Sequence, residues 1–317
     1  MPRPCRAYSR WARPLSALLP NNVRKAVERA LRAKTGSTME ILNCQAIAGG
    51  CIHPALKLAT DLNEDFFVKW SPHAEGDAFA AEADGIQALH DADALMVPEL
   101  IGYSEPGQEP AWILMEFIPH GKPAVDHPER LGDGLAALHR SRPESYGWER
   151  ANLIGSLPQC NEVMDDWPEF WWQRRLEPQV ALAHDRRMLP GRHAEWTRLE
   201  ASLETLLAGA TDEGPSLLHG DLWSGNTFAG PSGEPVLIDP AVYRGHREVD
   251  LAMTELFGGF PARFYSAYEN RWPLREGYRE RRRAIYQLYP LLVHVNLFGA
   301  QYVDSTIQAL DKALRAV

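Results

Sequence analysis

The chain has 317 residues, 45% of them hydrophobic and 24% charged, with a formal net charge of -9. That size suits two modest domains or one bilobal unit with a large core, and the acidic surplus gives no general attraction to nucleic acid or to an anionic membrane. No run of about eighteen apolar residues occurs, so no membrane-spanning helix is expected.

Cys5, Cys44, Cys51 and Cys160 form neither a CxxC pair nor a regular framework, which favours a reducing compartment and implies no structural metal. The opening is basic and free of acid up to Glu28, as in organelle transit peptides. A frayed extension ahead of a helix over 22–33 fits the same residues, and the cytoplasm is the default location. From Asn22, read as an N-cap, Val23, Ala26, Val27, Ala30 and Leu31 recur at helical spacing until Gly36.

Met39 to Ile47 alternates in part, and Ala55 to Thr60 and Phe66 to Trp70 read as strands around a turn at 61–65. Two strands about Gly49-Gly50, then a third ending in Lys69, form the pattern of an antiparallel flap over phosphates. A plain hairpin turn explains Gly49-Gly50 taken alone, and the full G-x-G-x-x-G pattern is absent. A helix from about 75 to 90 carries Phe79, Ile86 and Leu89 on one face, and Glu82 falls on that stripe. A carboxylate there is costly unless paired, and Lys69 is the candidate partner. Ala111 to Pro119 reads as a strand, either plain core or one whose backbone at Met115, Glu116, Phe117 and Ile118 meets adenine. The boundary placed near residue 120 divides the chain into an N-terminal extension and helix (1–35), an N-terminal lobe (36–120) and a C-terminal lobe (121–317).

Beyond it, Leu131 to His139 reads as a helix, with His139 a structural polar contact. Residues 165–176 set three tryptophans beside Arg174 and Arg175, a composition that suits sugar binding but is more often ordinary core, the charged pairs being solvated. A helix over 194–208 leads to His219-Gly220-Asp221-Leu222-Trp223-Ser224-Gly225-Asn226. Thr227 to Ala229, a turn over 230–235 and Val236 to Ile238 then read as a hairpin, which brings Asn226 and Asp239 together with Asp221 just before them. One carboxylate to accept a proton from a hydroxyl, and an amide oxygen and second carboxylate to hold Mg²⁺ against nucleotide phosphates, suit phosphoryl transfer. The spacing Asp-x-x-x-x-Asn is that of the protein-kinase catalytic loop, although a turn with its side-chain hydrogen bonds accounts for His219 and Asp221 by themselves. A kinase-like reading needs a strand lysine and a helix glutamate upstream, and Lys69 and Glu82 meet that need.

After Asp239, Asp250 stands ahead of an apolar run, placed to accept hydrogen bonds from catalytic-loop amides. Residues 279–283 read as a wet helix face, and 285–298 as a core helix kinked at Pro290 or two abutting ones.

These residues resemble the fructosamine (ketosamine) kinases, relatives of the aminoglycoside and choline kinases within the protein-kinase-like fold. The resemblance covers nearly everything after residue 35. It is carried by Gly49-Gly50-Cys51-Ile52, Phe67-Val68-Lys69, Glu82 in Ala-Glu-Ala-Asp-Gly, the stretch from His219 to Asn226, Ile238-Asp239-Pro240-Ala241, Gly245-His246-Arg247-Glu248-Val249-Asp250-Leu251-Ala252-Met253, Leu256-Phe257-Gly258-Gly259-Phe260 and Leu288-Tyr289-Pro290-Leu291-Leu292-Val293-His294. It implies an α+β, bilobal protein-kinase-like fold, with an N-terminal antiparallel sheet lobe bearing one main helix and a larger, mainly helical C-terminal lobe. It further implies ATP-dependent phosphorylation, with Mg²⁺, of the sugar 3-hydroxyl of ketosamines, the adducts that sugars leave on amines and protein lysines.

Carried over residue by residue, Asp221 is the general base and Asn226 and Asp239 hold Mg²⁺. Lys69 and Glu82 clamp phosphates under the flap at Gly49, Gly50 and Cys51, Met115 to Ile118 meet adenine, and Trp223 faces the sugar. Cys51 matches a flap cysteine that links two chains in some members, so a monomer or a redox-sensitive homodimer is expected. His53-Pro54 departs from the more flexible flap usual in the family, which leaves the fit over the phosphates open. Three readings compete: another small-molecule kinase of the same group, a catalytically silent nucleotide-binding protein, and a metal-dependent phosphoesterase. The last leaves Lys69 and Glu82 unexplained.

Overall fold

The computed structural model describes residues 18–47, 53–73, 77–141, 143–189 and 191–315. Two compact units make up the chain, one comprising Met1–Phe79 with Ile101–Phe117 and the other Ala80–Leu100 with Ile118–Val317.

In the first unit, helix α1 (Asn21–Thr35) is followed by β1 (Ile41–Ala46), β2 (Ala55–Thr60), β3 (Asp65–Ser71), β4 (Leu100–Tyr103) and β5 (Ala111–Glu116). The strands form one sheet in the order β1-β2-β3-β5-β4, antiparallel at β1/β2, β2/β3 and β3/β5. Val23, Val27 and Leu31 of α1 are fully buried and share a core with Leu56, Leu58, Phe66, Val68 and Leu114. Because side chains alternate along a strand, burying Phe66 and Val68 on that face puts Phe67 and Lys69 on the other. Asn22 is not the N-cap. Pro20 holds that position without a side-chain cap, its carbonyl accepting from the Arg24 amide at 2.9 Å, and its fixed φ pre-sets the first turn.

The second unit takes α2 (Ala78–Asp91) from Ala80 onward, then α3 (His127–His139) and the small hairpin β6 (Asn152–Ile154) and β7 (Leu157–Gln159). Next, α4 (Trp167–Phe170) passes through a π-helical turn at Trp171–Leu176 into α5 (Glu177–Asp185), and α6 (His193–Leu207) follows. Four short strands come after it, β8 (Ser216–Leu218), β9 (Thr227–Ala229), β10 (Pro235–Leu237) and β11 (Tyr243–Gly245). The chain ends with α7 (Glu248–Thr254), α8 (Ala262–Arg271), α9 (Arg283–Phe298) and α10 (Val303–Leu314). Pro290 lies inside α9, which runs as one helix. At Gly132 a Cβ would meet the Phe264 carbonyl oxygen at 2.3 Å, so α3 and α8 approach only because that side chain is missing. The architecture is the α+β class expected, an antiparallel sheet unit and a larger, mainly helical one. Among the described residues no helix is long and apolar enough to cross a membrane.

Two surface expectations for this unit are overturned, those for Arg175 and Arg282, and the core reading of the tryptophans holds. Trp167 and Trp171 are fully buried in a cluster with Phe170, Tyr243 and Tyr286, so the tryptophan segment is core and not a sugar platform. Arg175 is fully buried as well: its guanidinium stacks 3.9 Å over the Tyr243 ring and donates to the Cys160 carbonyl at 2.6 Å and to Asn161 Oδ1 at 2.7 Å. Aromatic faces and neutral acceptors hold a delocalised cation there, although Nε finds no acceptor among the described residues. In the supposedly wet arginine run, Arg282 is fully buried and pairs with both oxygens of the equally buried Glu248, at 2.7 Å each. The fork of an arginine matches two carboxylate oxygens, which makes such burial tolerable. Arg279 does stay exposed, bonded to Glu269.

Candidate active site

Strand β8 pairs antiparallel with β11, Leu218 opposite Tyr243, and the chain leaves β8 into the loop from His219 to Asn226. The exit is tight. Gly220 has φ +82°, and a Cβ on it would come within 2.0 Å of the Ala241 carbonyl oxygen, so glycine is required on two counts. Ala241 in turn donates its N–H to the His219 carbonyl at 2.9 Å.

Asp250, fully buried near the start of α7, holds the turn from below. Its two oxygens accept the main-chain N–H of His219 at 2.8 Å and of Gly220 at 2.9 Å, and His139 Nε2 lies 3.1 Å from it. Burial alone would raise its pKa; the hydrogen bond and charge of His139, helped by His219 and the Gly220 amide, outweigh that and hold it below the ordinary range. His139 Nδ1 lies 2.8 Å from the Tyr268 hydroxyl, so this histidine is the structural contact the sequence suggested. His219 is buried and its pKa is lowered by desolvation. Its Nε2 donates to the Ile238 carbonyl at 3.0 Å and its Nδ1 accepts the Asp221 N–H at 3.3 Å, the tautomer of a neutral ring.

The hairpin forms as expected, one residue earlier at its second strand, with Pro235 opposite Ala229 and Leu237 opposite Thr227. Just outside it, Ile238 N–H donates to the Asn226 carbonyl at 3.1 Å, which sets Asn226 beside Asp239. The Asn226 side-chain amide donates to the Asp221 carbonyl at 2.9 Å and to Asp221 Oδ2 at 3.0 Å, and lies 3.4 Å from the Asp239 carbonyl. Asp239 itself has φ +52°, a strained region for a residue with a side chain, of the kind kept at functional sites. Asp221 keeps part of its surface open, yet the protein packed around its carboxyl raises the pKa to about 7. The Asn226 hydrogen bond lowers it, and the charges of Asp239 and Asp250 add to the rise. A carboxylate poised near neutrality is suited to take a proton.

Trp223 is 37% exposed. Its ring lies so close over Gly225 that a Cβ there would meet it at 2.3 Å, which accounts for glycine in Trp-Ser-Gly-Asn. A small pocket, mostly apolar, opens beside Asp221 and is lined also by Ile154, Met253, Tyr289, Pro290 and His294. A wider hollow at Ala208, Gly209 and Arg275 to Arg281 shares no lining residue with it.

The fructosamine kinase family model matches residues 23–316. This chain belongs to the fructosamine kinase family. It is 37% identical over 292 residues to a chain assigned as a ketoamine kinase in Synechocystis, covering 92% of this chain and 97% of that one. With the chloroplastic protein-ribulosamine 3-kinase of Oryza sativa subsp. japonica it shares 38% over 282 residues, 88% and 81% of the two chains. A solved structure assigned as a fructosamine-3-kinase from Thermobifida fusca superposes with a TM-score of 0.80 at 33% identity, covering 92% of this chain and 99% of that one. An aminoglycoside phosphotransferase complex matches at TM-score 0.58 and 16% identity, a likeness of fold alone.

The block Gly245–Met253, which carries much of the resemblance to fructosamine kinases, turns out to be interior: His246, Arg247, Glu248 and Asp250 are all fully buried. Arg247 donates to Glu213 at 2.7 and 2.9 Å and to the Pro273 carbonyl at 2.8 Å, and lies 3.4 Å from the Tyr268 hydroxyl. His246 joins Glu213 at 3.0 Å to the Tyr286 hydroxyl at 3.1 Å. Burial would raise the Glu213 pKa, but the hydrogen bonds from Arg247 and His246 hold it at about 2. A chain of contacts thus runs from Glu213 through Arg247, Tyr268 and His139 to Asp250 and the loop from His219 to Asn226. Glu213 and Tyr268 escaped the sequence reading, because one closes an ordinary polar turn and the other occupies a core position of an amphipathic helix.

Of the expected site residues, Asp221, Asn226, Asp239 and Trp223 meet on this loop and hairpin. Lys69 lies on β3 of the first unit, next to β5, with Ala55 and Ile113 as its cross-strand partners. Met115 and Glu116 end β5 and Phe117 closes the first unit, while Ile118 and Glu82, the latter half-buried on α2, belong to the second. Gly49, Gly50 and Cys51 lie outside the described residues.

Proposed function

We propose that this protein is an ATP-dependent kinase that phosphorylates the sugar 3-hydroxyl of ketosamines, with free or protein-bound amines as the other half of the adduct. One observation carries the reading: in a fructosamine kinase chain, Asp221 with a pKa near 7 is hydrogen-bonded to Asn226, whose amide also approaches Asp239. In this mechanism Asp221 accepts the proton of the 3-hydroxyl as its oxygen bonds to the γ-phosphorus of ATP and the bond to ADP breaks. His219 and Asp250 hold the loop through hydrogen bonds to its main chain and to the Ile238 carbonyl, outside the path of the proton. The Asn226 amide oxygen and the Asp239 carboxylate are the hard oxygen donors that Mg²⁺ prefers. Two protein ligands suit an ion whose shell is completed by water and phosphate. Held by Asn226 and Asp239, the ion would neutralise charge on the phosphate oxygens.

By the resemblance, Lys69 and Glu82 are assigned to the phosphates, Met115 to Ile118 to adenine, and Trp223 to the sugar. Phosphorylation leaves the adduct unstable, so the amine is released. The cysteine pattern of the sequence supports a reducing, cytoplasmic setting.

The test is nucleotide turnover with fructosamine and ribulosamine on one carrier. ADP should form only when acceptor is present, and Asp221→Asn should lower kcat by about 10²-fold or more while ATP still binds. Phosphate release without acceptor would indicate a phosphoesterase instead, and undiminished turnover in Asp221→Asn would remove the base from the scheme.

A further inference from the structure

Beside the Asp221 pocket stands a group of aromatic rings for which the reaction described so far has no use. His294 belongs to both. It lines the pocket with Asp221 and Gly220, and its ring centroid lies 4.4 Å from Phe257, 4.9 Å from Tyr302 and 5.3 Å from Phe298. Phe257 and Phe298 are 37% and 54% exposed, and grouped exposed rings mark binding surfaces where scattered ones do not. Phe257 is also held in a conformation that favours glycine. Its φ is +53°, and Gly258 and Gly259 continue the left-handed run at +110° and +71°. Strain of that kind persists where the surrounding structure has a use for it.

The chemistry of His294 follows from one contact. Its Nδ1 lies 2.7 Å from the Pro290 carbonyl, which can only accept, so Nδ1 carries the hydrogen. Burial lowers its pKa and keeps the ring neutral, which makes Nε2 a lone-pair acceptor. Among the described residues no donor meets Nε2. Neutral aromatic faces and one bare acceptor, with no carboxylate in the cluster, describe a site for an organic cation that also carries an N–H.

We propose that this cluster seats the protonated secondary amine of the ketosamine, its nitrogen against Phe257, Phe298 and Tyr302 and one N–H donated to His294 Nε2. The inference rests on the ketosamine kinase reading. In such an adduct four bonds separate the amine nitrogen from the 3-hydroxyl oxygen, roughly 4–5 Å, and His294, which joins the rings, lines the same small hollow as Asp221. A free sugar carries no cation and would forgo the contact, so the cluster selects adducts over sugars.

The experiment compares two acceptors on the full chain: a ketosamine with a basic nitrogen, and the same sugar with that nitrogen acylated and therefore neutral. The parent should show the lower KM for the charged acceptor. Phe298→Leu keeps apolar bulk at an exposed position and removes the π face, and His294→Phe keeps a ring and removes the lone pair. In each variant the ratio of neutral to charged KM should fall by about 2- to 30-fold. A ratio that stays at the parent value in both variants, or a parent that prefers the neutral acceptor, would overturn the assignment. A parent that turns over neither acceptor would bring down the kinase reading instead. Calorimetric binding of the two compounds without ATP would then still decide the cluster, since charge preference lost in Phe298→Leu supports it and absence of preference in the parent refutes it.

Discussion

Exchanging Asp250 for asparagine strikes the loop from His219 to Asn226 without touching any group proposed to react. The carboxylate accepts the His219 and Gly220 amides, one on each oxygen, at 2.8 and 2.9 Å, and His139 lies 3.1 Å away. Asparagine has one acceptor oxygen and one NH₂. If the oxygen keeps one amide, the NH₂ is turned toward the other, and an N–H is left without an acceptor at a fully buried position. An orphaned buried donor costs about 1–3 kcal/mol, and a hydrogen bond to a charged acceptor contributes about 1.5–3 kcal/mol. The two effects share one side chain and do not simply add, so a loss of about 3–4 kcal/mol is expected. Urea denaturation should show it as a lower midpoint at unchanged slope. Asp221 directly follows Gly220, and a displacement of about 1 Å in a reacting group can cost about 100-fold, so kcat should fall by that order. A variant within about 0.5 kcal/mol of the parent and with undiminished kcat would show that the loop does not depend on this anchor.

Two further expectations separate steric, conformational and ionic contributions. Gly220→Ala combines a positive φ with a Cβ 2.0 Å from the Ala241 oxygen and should lower both stability and kcat. Gly36→Ala has a similar φ of +72° in open space and should cost only about 1–2 kcal/mol, so equal changes in melting temperature for the two would contradict the steric reading. Glu213 has a folded pKa of about 2 against an ordinary 4.5, so its contribution, roughly 3 kcal/mol at most, is present above pH 4.5 and lost as pH falls from there toward 2. Stability measured across that window should fall less steeply in Glu213→Gln, and parallel curves for parent and variant would count against the Arg247–Glu213 pairing.

Local pattern and local spacing were legible wherever the signal and its cause lie close together in the chain. The helix over α1 follows from the recurrence of Val23, Val27 and Leu31, and β2 appears at Ala55–Thr60 as read. The Asn226–Asp239 proximity follows from turn chemistry between two short strands, and Asp250 was placed under the loop by its position before an apolar run. What misled was charge. Arg175 and Arg282 look like surface residues because, in sequence, an arginine next to another charge reads as solvated. Each is buried because its partners arrive from far along the chain, Tyr243 and Asn161 for one and Glu248 for the other.

The sequence by itself therefore determined the family and the α+β class, and it named the acid, amide and acid proposed for the reacting end. Those depend on residue type at fixed short spacing, which the chain writes out directly. The tertiary structure alone decided that the Gly245–Met253 block is an interior ion network tied to Glu213, that the tryptophans near 170 are core, and that Phe257, Phe298 and Tyr302 gather around His294, which lines the hollow beside Asp221. A buried charge or an exposed ring acquires its meaning from partners brought together by packing, and no one-dimensional spacing records which they are.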